Sequence, residues 1–334
     1  MKQIIEKLLS NISLTQEESH DIMLKIMSGE FNDAQISGFL IALRAKGESS
    51  SEIAGFAQAM RDKMTKIESV DGAIDMCGTG GDASGTFNIS TAASFVVAGA
   101  GIPVAKHGNR SMTSKSGSAD VLTELGVDIT LPPEKVSECI AEIGIGFMFA
   151  PSLHPAMKYA MGARVALGTR TVFNILGPLC NPAGVTRQLM GIFDGSLTDK
   201  VAKVLQKLGS EHAMIVHGYD GLDEISTTAS TKISHLKNNG EIESMTISSS
   251  DYGFEKSTLE VLKGGTPDVN AKIISAILDG SDLGMKADIV ILNAAAGIFV
   301  GGKADNMETC VDLAKESITS GAAKEKLDLL ALVK

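Results

Sequence analysis

The chain has 334 residues, of which 44% are hydrophobic and 21% charged, a balance typical of a folded globular protein rather than a disordered one. Its formal net charge of −10 argues against nonspecific binding to nucleic acid or to an anionic membrane, because a field of that sign repels polyanions. Any polyanionic ligand must therefore be held by local groups. The length predicts about two domains.

The cysteines predict neither a disulfide framework nor a zinc site. They stand far apart, at Cys77, Cys139, Cys180 and Cys310. No Cys-x-x-Cys pair or Cys/His zinc spacing is present. Glu6-Lys7 lies where a signal peptide would be apolar, and no apolar run reaches the ~18 residues of a membrane span. We expect reduced thiols in a cytoplasmic protein that does not enter the membrane.

Residues 1–66 predict helices with no strands between them. Thr15 and Ser49 each open the four-residue pattern of a capping box, and Asn32 is placed to cap a helix over 34–45. Because these helices are short and follow one another directly, they are predicted to form a small all-helical domain.

From residue 74 onward, short apolar segments alternate with stretches of helical period. This alternation predicts βαβ units, and hence an α/β fold with a mainly parallel sheet flanked by helices. Six strands are predicted, over residues 74–77, 102–105, 145–149, 213–216, 244–247 and 289–292. The segment 155–184 shows no clear strand, and the segments 256–263 and 304–334 are predicted to be scaffold.

Two polar loops that contain glycine follow the first two predicted strands. The first reads GTGGDASGTFNIST from Gly78 to Thr91, and the second reads KHGNRSMTSKSGS from Lys106 to Ser118. Glycine lets consecutive backbone N–H groups converge on an anion, and ligands gather at the carboxyl ends of such strands. Lys106, Arg110 and Lys115 add positive charge. Together the loops predict a phosphate-binding site.

For the first loop alone, a glycine-rich turn before an ordinary capped helix is the alternative. Asn88, Ser90 or Thr91 is expected to cap that helix. The glycine spacing matches neither GxxxxGK[ST] nor a GxGxxG that opens a helix, which disfavours a P-loop NTPase and a dinucleotide enzyme.

Adjacent carboxylates follow the predicted strand 213–216, at Asp223 and Glu224. Such a pair offers the hard oxygen ligands that Mg²⁺ shares with substrate phosphates. A solvated acidic turn is the alternative from spacing alone, but a phosphate site elsewhere in the chain favours the metal. Asp82 could be a metal ligand, a helix cap or the partner of a lysine, and its place in the first loop supports contact with a diphosphate through water or Mg²⁺.

The strings GTGGD, NIST, KHGNR and SGSAD resemble the signature loops of the anthranilate phosphoribosyltransferases of tryptophan biosynthesis. The resemblance continues through HPAMK from His154, RTVFNILGPL from Arg170, DGLDE from Asp220 and NAAA from Asn293, so it covers nearly the entire chain. It implies a nucleoside phosphorylase/phosphoribosyltransferase-type fold. It also implies a glycosyltransferase that uses Mg²⁺ to move the phosphoribosyl group of 5-phosphoribosyl 1-diphosphate (PRPP) to the amine of anthranilate, with release of diphosphate.

The resemblance implies a set of contacts for each ligand. PRPP is expected to meet Gly78, Gly81, Asp82, Thr86, Asn88, Ile89, Ser90, Thr91, Lys106, His107, Gly108, Asn109, Arg110, Ser111, Ser114 and Ser118. Anthranilate is expected to meet Gly78, His107, Asn109, His154 and Arg164. Two Mg²⁺ ions are expected on Ser90, Asp223 and Glu224.

Within this set, Arg164 is expected to hold the anthranilate carboxylate, since a guanidinium binds a planar carboxylate through two hydrogen bonds, and Asn109 to accept from the amine. Without the resemblance, a surface arginine paired with a glutamate is the alternative for Arg164. His107 and His154 are candidate general bases, but we favour them as pocket walls or donors, because an aromatic amine is already neutral. The family usually has proline near Gly162, a departure that affects the helix leading to Arg164.

The resemblance also implies domains that are discontinuous in sequence. The helical domain over 1–66 would be joined by part of 164–184, with 70–163 and 185–334 forming the α/β domain, and the apolar helices would form a homodimer. A nucleoside phosphorylase and a nucleic-acid-binding relative without transferase activity are the rival functions. The Asp223-Glu224 pair and the KHGNR loop argue against the nucleoside phosphorylase. The acidic net charge argues against the nucleic-acid-binding relative.

Overall fold

The computed structural model describes residues 1–82, 84–111 and 115–334. Within these ranges one seven-stranded sheet has the order β3-β2-β1-β4-β5-β6-β7. The strands are β1 (Ile74–Gly78), β2 (Val104–Gly108), β3 (Ile145–Phe149), β4 (Arg187–Gly191), β5 (His212–Gly218), β6 (Thr231–Leu236) and β7 (Ile242–Ile247). The first five strands are parallel and the last two pair antiparallel. The predicted mainly parallel α/β fold is confirmed.

The helices described in the same ranges precede, alternate with and follow the strands. They are α1 (Lys2–Leu9), α2 (Gln16–Met27), α3 (Asp33–Lys46), α4 (Ser50–Lys63), α5 (Ile89–Gly99), α6 (Ser118–Glu124), α7 (Pro133–Glu138), α8 (Ala150–Leu153), α9 (Lys158–Leu167), α10 (Phe173–Leu176), α11 (Thr198–Lys207), α12 (Pro267–Leu278), α13 (Met285–Val300), α14 (Met307–Thr319) and α15 (Ala322–Leu332). None of the helices in the described part of the chain is long and apolar enough to cross a membrane.

The N-terminal helices begin where the capping residues predict. The side chains of Thr15, Asn32 and Ser49 each accept a hydrogen bond from the backbone N–H three residues later, and all three caps are reciprocal capping boxes. Helices α2 and α4 pack together, α1 packs on α3, and α9 returns to contact α2 and α3. The helical unit is therefore completed by a segment from the middle of the chain.

Alternate residues of the central strands enter two separate cores, as the two-residue period of a strand requires. On β1, Met76 belongs to the core formed with α5 and α12–α15, whereas Cys77 belongs to the core formed with the N-terminal helices and α11. Leu189 and Met190 on β4 divide in the same way. Because both faces are covered, the central strands consist largely of buried residues.

The predicted strand at 289–292 is wrong, because these residues lie in the middle of α13. This helix is buried on almost every side, so its sequence lacks the polar stripe that marks a surface helix. A short apolar run of this kind cannot be distinguished from a buried strand by periodicity. Two strands were not predicted: β4 begins with Arg187-Gln188, and β6 carries Lys232 and His235 within a short segment.

Glu52 provides a test of how the helical unit is held together. Its buried carboxylate accepts from the Leu14 and Ser49 amides at 2.9 and 2.8 Å and from the Lys46 ammonium at 2.8 Å. Glu52→Ala is expected to lower the free energy of unfolding by about 3–5 kcal/mol, because a buried cation loses its partner. Urea denaturation measures this, with the exposed Glu17→Ala as control, and a loss no larger than the control's would contradict the assignment.

Candidate active site

The two glycine loops and the Asp223-Glu224 pair meet at the carboxyl ends of the central strands. β1 leads through the first loop into α5, β2 leads through the second loop into α6, and the carboxylates lie in the connection from β5 to β6. The Gly80 N–H donates to the Asp223 carboxylate at 2.8 Å, and the Ser90 N–H donates to the Glu224 carboxylate at 3.1 Å. Backbone amides of the first loop and of the start of α5 therefore hold both carboxylates.

Glycine is required where the acidic loop crosses the strand ends. A Cβ atom at Gly78 would lie 2.5 Å from the Asp223 carboxylate, and one at Gly191 would overlap the Asp223 carbonyl oxygen. Gly80 and Gly81 have positive φ angles, 63° and 75°, which side-chain-bearing residues rarely adopt. The requirement at Gly191 could not be inferred from the sequence, because it ends a strand that was not predicted.

The carboxylates are buried close to one another. Burial and the neighbouring Asp82 carboxylate raise the pKa of Asp223 to about 6, and burial and Asp223 raise the pKa of Glu224 well above its ordinary value. Lys106 is a buried cation nearby. Burial lowers the pKa of Lys106, and the Asp75 and Glu224 carboxylates oppose that lowering. The Lys106 ammonium donates to the Met76 carbonyl at 2.6 Å. Burial and mutual repulsion therefore oppose ionisation of the Asp223-Glu224 pair, and an added cation would favour the ionised form of both carboxyl groups.

These residues fit a magnesium ion that is shared with a substrate. Asp223 and Glu224 supply hard oxygen ligands, and no group of three or more His, Cys, Asp or Glu side chains within residues 1–82, 84–111 and 115–334 is placed to hold a metal. Mg²⁺ commonly binds one or two carboxylates and completes its shell with water and phosphate oxygens. Asp82 has no lysine partner in the described part of the chain. Its carboxylate accepts from the Ser84 hydroxyl at 2.5 Å.

The second loop is closed by Asp120. Its carboxylate accepts from the Ser111 N–H at 3.0 Å, the Gly117 N–H at 2.9 Å and the Arg110 guanidinium at 2.8 Å. Burial raises the pKa of Asp120, but these donors lower it overall. The Ser118 hydroxyl donates to the Asn109 carbonyl at 3.3 Å. The loop backbone is thus curled around one carboxylate. The predicted contact at Ser114 lies outside the described residues.

The predicted side-chain cap of α5 is wrong. Asn88 holds the N-cap position but makes no capping bond, and Ser90 and Thr91 lie inside the helix. The Asn88 amide donates instead to the Ser116 carbonyl at 3.2 Å, and its oxygen accepts from Asn270 at 3.0 Å. Asn270 on α12 was not predicted as a site residue. The only signal was an asparagine within an otherwise apolar helix face.

The remaining residues of the first loop meet a segment that was predicted to be scaffold. Thr86 forms a β-bridge with Lys263, and the Gly264 N–H donates to the Gly85 carbonyl at 2.9 Å. Ile89 is buried at the start of α5. The segment 256–263 therefore borders the loop rather than lying apart from it.

His107 and His154 face each other, with 3.2 Å between their Nε2 atoms. Burial and the neighbouring His154 lower the pKa of His107 to about 3, and burial lowers the pKa of His154 to about 4. Both rings are therefore neutral at pH 7, with one donating and the other accepting. Gly108 follows His107 at the end of β2, where a Cβ atom would overlap the Ser118 hydroxyl.

Arg164 lies half-buried on α9, with its guanidinium 5.3 Å from the centre of the Phe173 ring. Among the described residues no carboxylate forms an ion pair with it, so the glutamate-paired alternative is not found, and no hydrogen bond joins it to either loop. Arg170 was not predicted to be a site residue, but it contacts the first loop. The Arg170 guanidinium donates to the Gly81 carbonyl and stacks 4.2 Å from the centre of the Phe193 ring.

Two family models match the chain. The model of the glycosyl transferase family helical bundle domain matches residues 2–64, and the model of the glycosyl transferase family a/b domain matches residues 70–324. The fold and the loops thus define a glycosyl transferase built from a helical bundle and an α/β unit.

Comparison with individual relatives identifies the family within this class of glycosyl transferases. The chain is 50% identical to the anthranilate phosphoribosyltransferase of Xanthobacter autotrophicus, with 99% of this chain and 96% of the relative covered. The crystal structure of the Thermus thermophilus enzyme superposes with a TM-score of 0.93 at 39% identity, covering 98% of each chain. The Saccharomyces cerevisiae enzyme in complex with PRPP and Mg superposes with a TM-score of 0.89 at 30% identity, covering 98% of this chain and 95% of that chain. The chain belongs to the anthranilate phosphoribosyltransferase family.

His212 and His235 form a second histidine pair, in which the effect of burial on histidine protonation can be measured. His212 and His235 approach to 2.8 Å at the opposite ends of β5 and β6 from the carboxylates, and burial lowers the pKa of His212 to about 4. Its unfolded value is about 6.5, so the folded state is penalised as the pH falls from about 6.5 to about 4. Relative to the native protein, His212→Gln should therefore gain about 1.4 kcal/mol of unfolding free energy per pH unit over that window.

Denaturant unfolding at pH 7, 6 and 5 measures this difference. His20→Gln is the control, because the hydrogen bond to Asp62 raises the pKa of His20, and loss of that stabilisation should shift the difference in the opposite direction. A difference between native and His212→Gln that does not change with pH would show that burial does not suppress protonation of His212.

Proposed function

We propose that the chain transfers the phosphoribosyl group of PRPP to the amine of anthranilate, releasing diphosphate and forming N-(5-phosphoribosyl)anthranilate for tryptophan biosynthesis. The observation that carries the proposal is the convergence of two glycine loops on a buried carboxylate pair through the Gly80 and Ser90 amides. A yeast relative solved with PRPP and Mg, and also with 4-fluoroanthranilate at a TM-score of 0.88 and 28% identity, covering 98% of this chain and 96% of that chain, supports the substrate assignment.

We assign PRPP to the two loops, through the residues that the resemblance implies. Backbone amides at glycine and at the start of α5 suit phosphate oxygens, because they carry partial positive charge at fixed positions. Two cations of these loops already have partners: Arg110 is bound to Asp120 and Lys106 to the Met76 carbonyl. Phosphate binding by these two cations must therefore share or replace these contacts.

Asp223, Glu224 and Ser90 are proposed to hold Mg²⁺, with two ions in each site. The count of two ions follows from the resemblance. Besides burial, the Asp82 carboxylate raises the pKa of both Asp223 and Glu224, while Lys106 lowers the pKa of Glu224, so a bound cation would relieve repulsion among these acidic groups. When bound, the metal supplies positive charge that stabilises the departing diphosphate. The contribution of this chain is to fix the carboxylates through the Gly80 and Ser90 amides before substrate arrives.

Anthranilate is assigned to the region of His107, Asn109, His154 and Arg164, next to Gly78. Arg164 has no described carboxylate partner, and its guanidinium is oriented by Phe173, so a substrate carboxylate would satisfy it. The low pKa values of the two histidines make them poor bases at pH 7, which supports a role as neutral pocket walls. The amine needs no proton removed before it attacks, so positioning dominates the chemistry.

The remaining assignments concern organisation. We propose a helical domain over 1–66 joined by part of 164–184, with an α/β domain over 70–163 and 185–334. The packing of α9 on α2 and α3 supports the return of a middle segment to the helical domain, with α9 beginning at Lys158, six residues before the proposed boundary. A homodimer through the helical domain would cover apolar side chains that are exposed on α1, α3, α9 and the turn after α1: Leu9, Ile12, Ile41, Met161 and Val165. A cytoplasmic location is supported by four buried free thiols.

The fluorescence of anthranilate provides the direct test. Signal should be lost only when protein, PRPP and Mg²⁺ are all present, and chelator added before the protein should keep the signal at the level of the blank. Persistence of the signal under every condition would refute the transfer reaction. Phosphate-dependent cleavage of nucleosides would then decide in favour of the phosphorylase, and its absence in favour of the noncatalytic relative.

The metal assignment predicts the behaviour of a double variant. Asp223→Ala with Glu224→Ala should lower turnover at least about 100-fold and raise the Mg²⁺ concentration needed, because the charge that neutralises the leaving group is no longer held. Steady-state rates across a Mg²⁺ titration measure both effects. Asp305→Ala with Glu308→Ala, two exposed acidic residues outside the loops, is the matched control. Native kinetics in the Asp223/Glu224 variant would remove the assignment.

The acceptor assignment predicts a selective effect at Arg164. Arg164→Ala should raise the KM for anthranilate about tenfold or more with the KM for PRPP nearly unchanged, since binding is lost equally from ground and transition states. Arg164→Lys keeps the charge but not the paired hydrogen bonds and should recover only part of the loss. If the KM for PRPP rises instead, the two substrates occupy the opposite positions.

A further inference from the structure

Asn293 is a fully buried polar residue in the middle of the apolar helix α13. Its neighbours Leu292 and Ala294 are also fully buried, and the helix packs between the sheet and α14. An amide in such a position destabilises the fold unless its hydrogen bonds are made inside the protein. The contacts of Asn293 therefore indicate what the amide is retained for.

The Asn293 side chain forms hydrogen bonds with both backbone groups of one loop residue, Ile225. Its oxygen accepts from the Ile225 N–H at 2.9 Å, and its nitrogen donates to the Ile225 carbonyl at 2.9 Å and to the Ile289 carbonyl of its own helix at 2.9 Å. The two bonds to Ile225 form the same pair that a neighbouring strand would make. The Asn293 side chain thus gives Ile225, a loop residue, the two backbone hydrogen bonds that a neighbouring strand would otherwise supply.

Ile225 directly follows Glu224, in a loop that has no regular secondary structure between β5 and β6. Upstream of the pair, the Gly218 N–H donates to the Leu222 carbonyl at 2.9 Å. Downstream, the Ser226 N–H donates to the Thr231 hydroxyl at 2.9 Å. Asn293 supplies the bonds immediately beside the carboxylates, and it reaches them from a rigid helix.

Two adjacent buried carboxylates repel each other, and a loop that was not anchored would move outward to separate and solvate them. The amides of Gly80 and Ser90 contact only the carboxylate ends. A backbone anchor is needed to hold the main chain of Asp223 and Glu224 over the strand ends. Among the described side chains, only the Asn293 amide bonds to both the N–H and the carbonyl of a residue next to Asp223 and Glu224.

We propose that Asn293 is a positioning residue for the Asp223-Glu224 metal site: it fixes the backbone at Ile225 and so sets the distance and direction of both carboxylates for Mg²⁺. This inference rests on the proposed metal site. Loss of a group that orients metal ligands typically weakens metal binding by about 10–100-fold.

The test is calorimetric titration of Mg²⁺ into native protein and Asn293→Ala in the presence of inorganic diphosphate. The apparent Kd for Mg²⁺ should rise about tenfold or more in Asn293→Ala. The KM for anthranilate, measured separately, should stay within about twofold, because the Asn293 amide bonds to Ile225 and Ile289, neither of which is assigned to that substrate. Ser317→Ala is the control: Ser317 is a buried residue on α14 whose hydroxyl donates to the Val96 carbonyl at 2.7 Å, far along α5 from the loops.

Thermal unfolding separates positioning from a purely structural role. Both variants should unfold at lower temperature than native protein, but only Asn293→Ala should also lose most of the stabilisation by Mg²⁺ with diphosphate. Equal Mg²⁺ affinity in Asn293→Ala and Ser317→Ala would overturn the proposal. If Asn293→Ala does not fold, Asn293→Leu carries the same test, since its side chain has a similar size and can neither donate to nor accept from Ile225.

The Asp223→Ala, Glu224→Ala double variant is titrated alongside to separate two failures. If it binds Mg²⁺ as the native protein does, the proposed metal site fails, and the role of Asn293 fails with it. If the double variant loses Mg²⁺ while Asn293→Ala keeps it, the metal site stands and only the role of Asn293 is overturned.

Discussion

The contact between backbone amides of the first loop and two buried carboxylates organises the rest of the structure. Holding Asp223 and Glu224 at the ends of the parallel strands requires donors for their oxygens, which Gly80 and Ser90 supply. It also requires strand ends without side chains, which explains glycine at the end of β4. Because like charges are confined there, the surrounding loops are arranged to receive a cation and a polyanion together.

Several parts of the chain are tied to this point by single polar side chains. Asn293 anchors the acidic loop to α13, Asn88 and Asn270 join both glycine loops to α12, and Arg170 joins the connection after α9 to the Gly81 carbonyl. These asparagines hold loops in place, whereas the cores consist of apolar side chains.

Much of the fold could be read from local patterns. The caps at Thr15, Asn32 and Ser49 predicted three helix starts correctly, since a cap depends only on residues within one turn. The parallel sheet followed from alternation of apolar and helical segments. The error at 289–292 and the missed strand β4 have different causes. Burial on nearly every side removes the periodic signal from α13, whereas tertiary pairing supplies the stability that β4 lacks in strand propensity.

For the candidate site, the sequence by itself determined the two glycine loops, the carboxylate pair and the family, because these are contiguous strings whose chemistry is local. The tertiary structure alone decided which amides meet which carboxylates, why Gly191 must lack a side chain, and that Asn270 and Asn293 serve the loops from distant helices. It also decided the neutral state of His107 and His154. Burial and the approach of residues far apart in the chain set these properties, and neither is encoded in the spacing of residues along one segment.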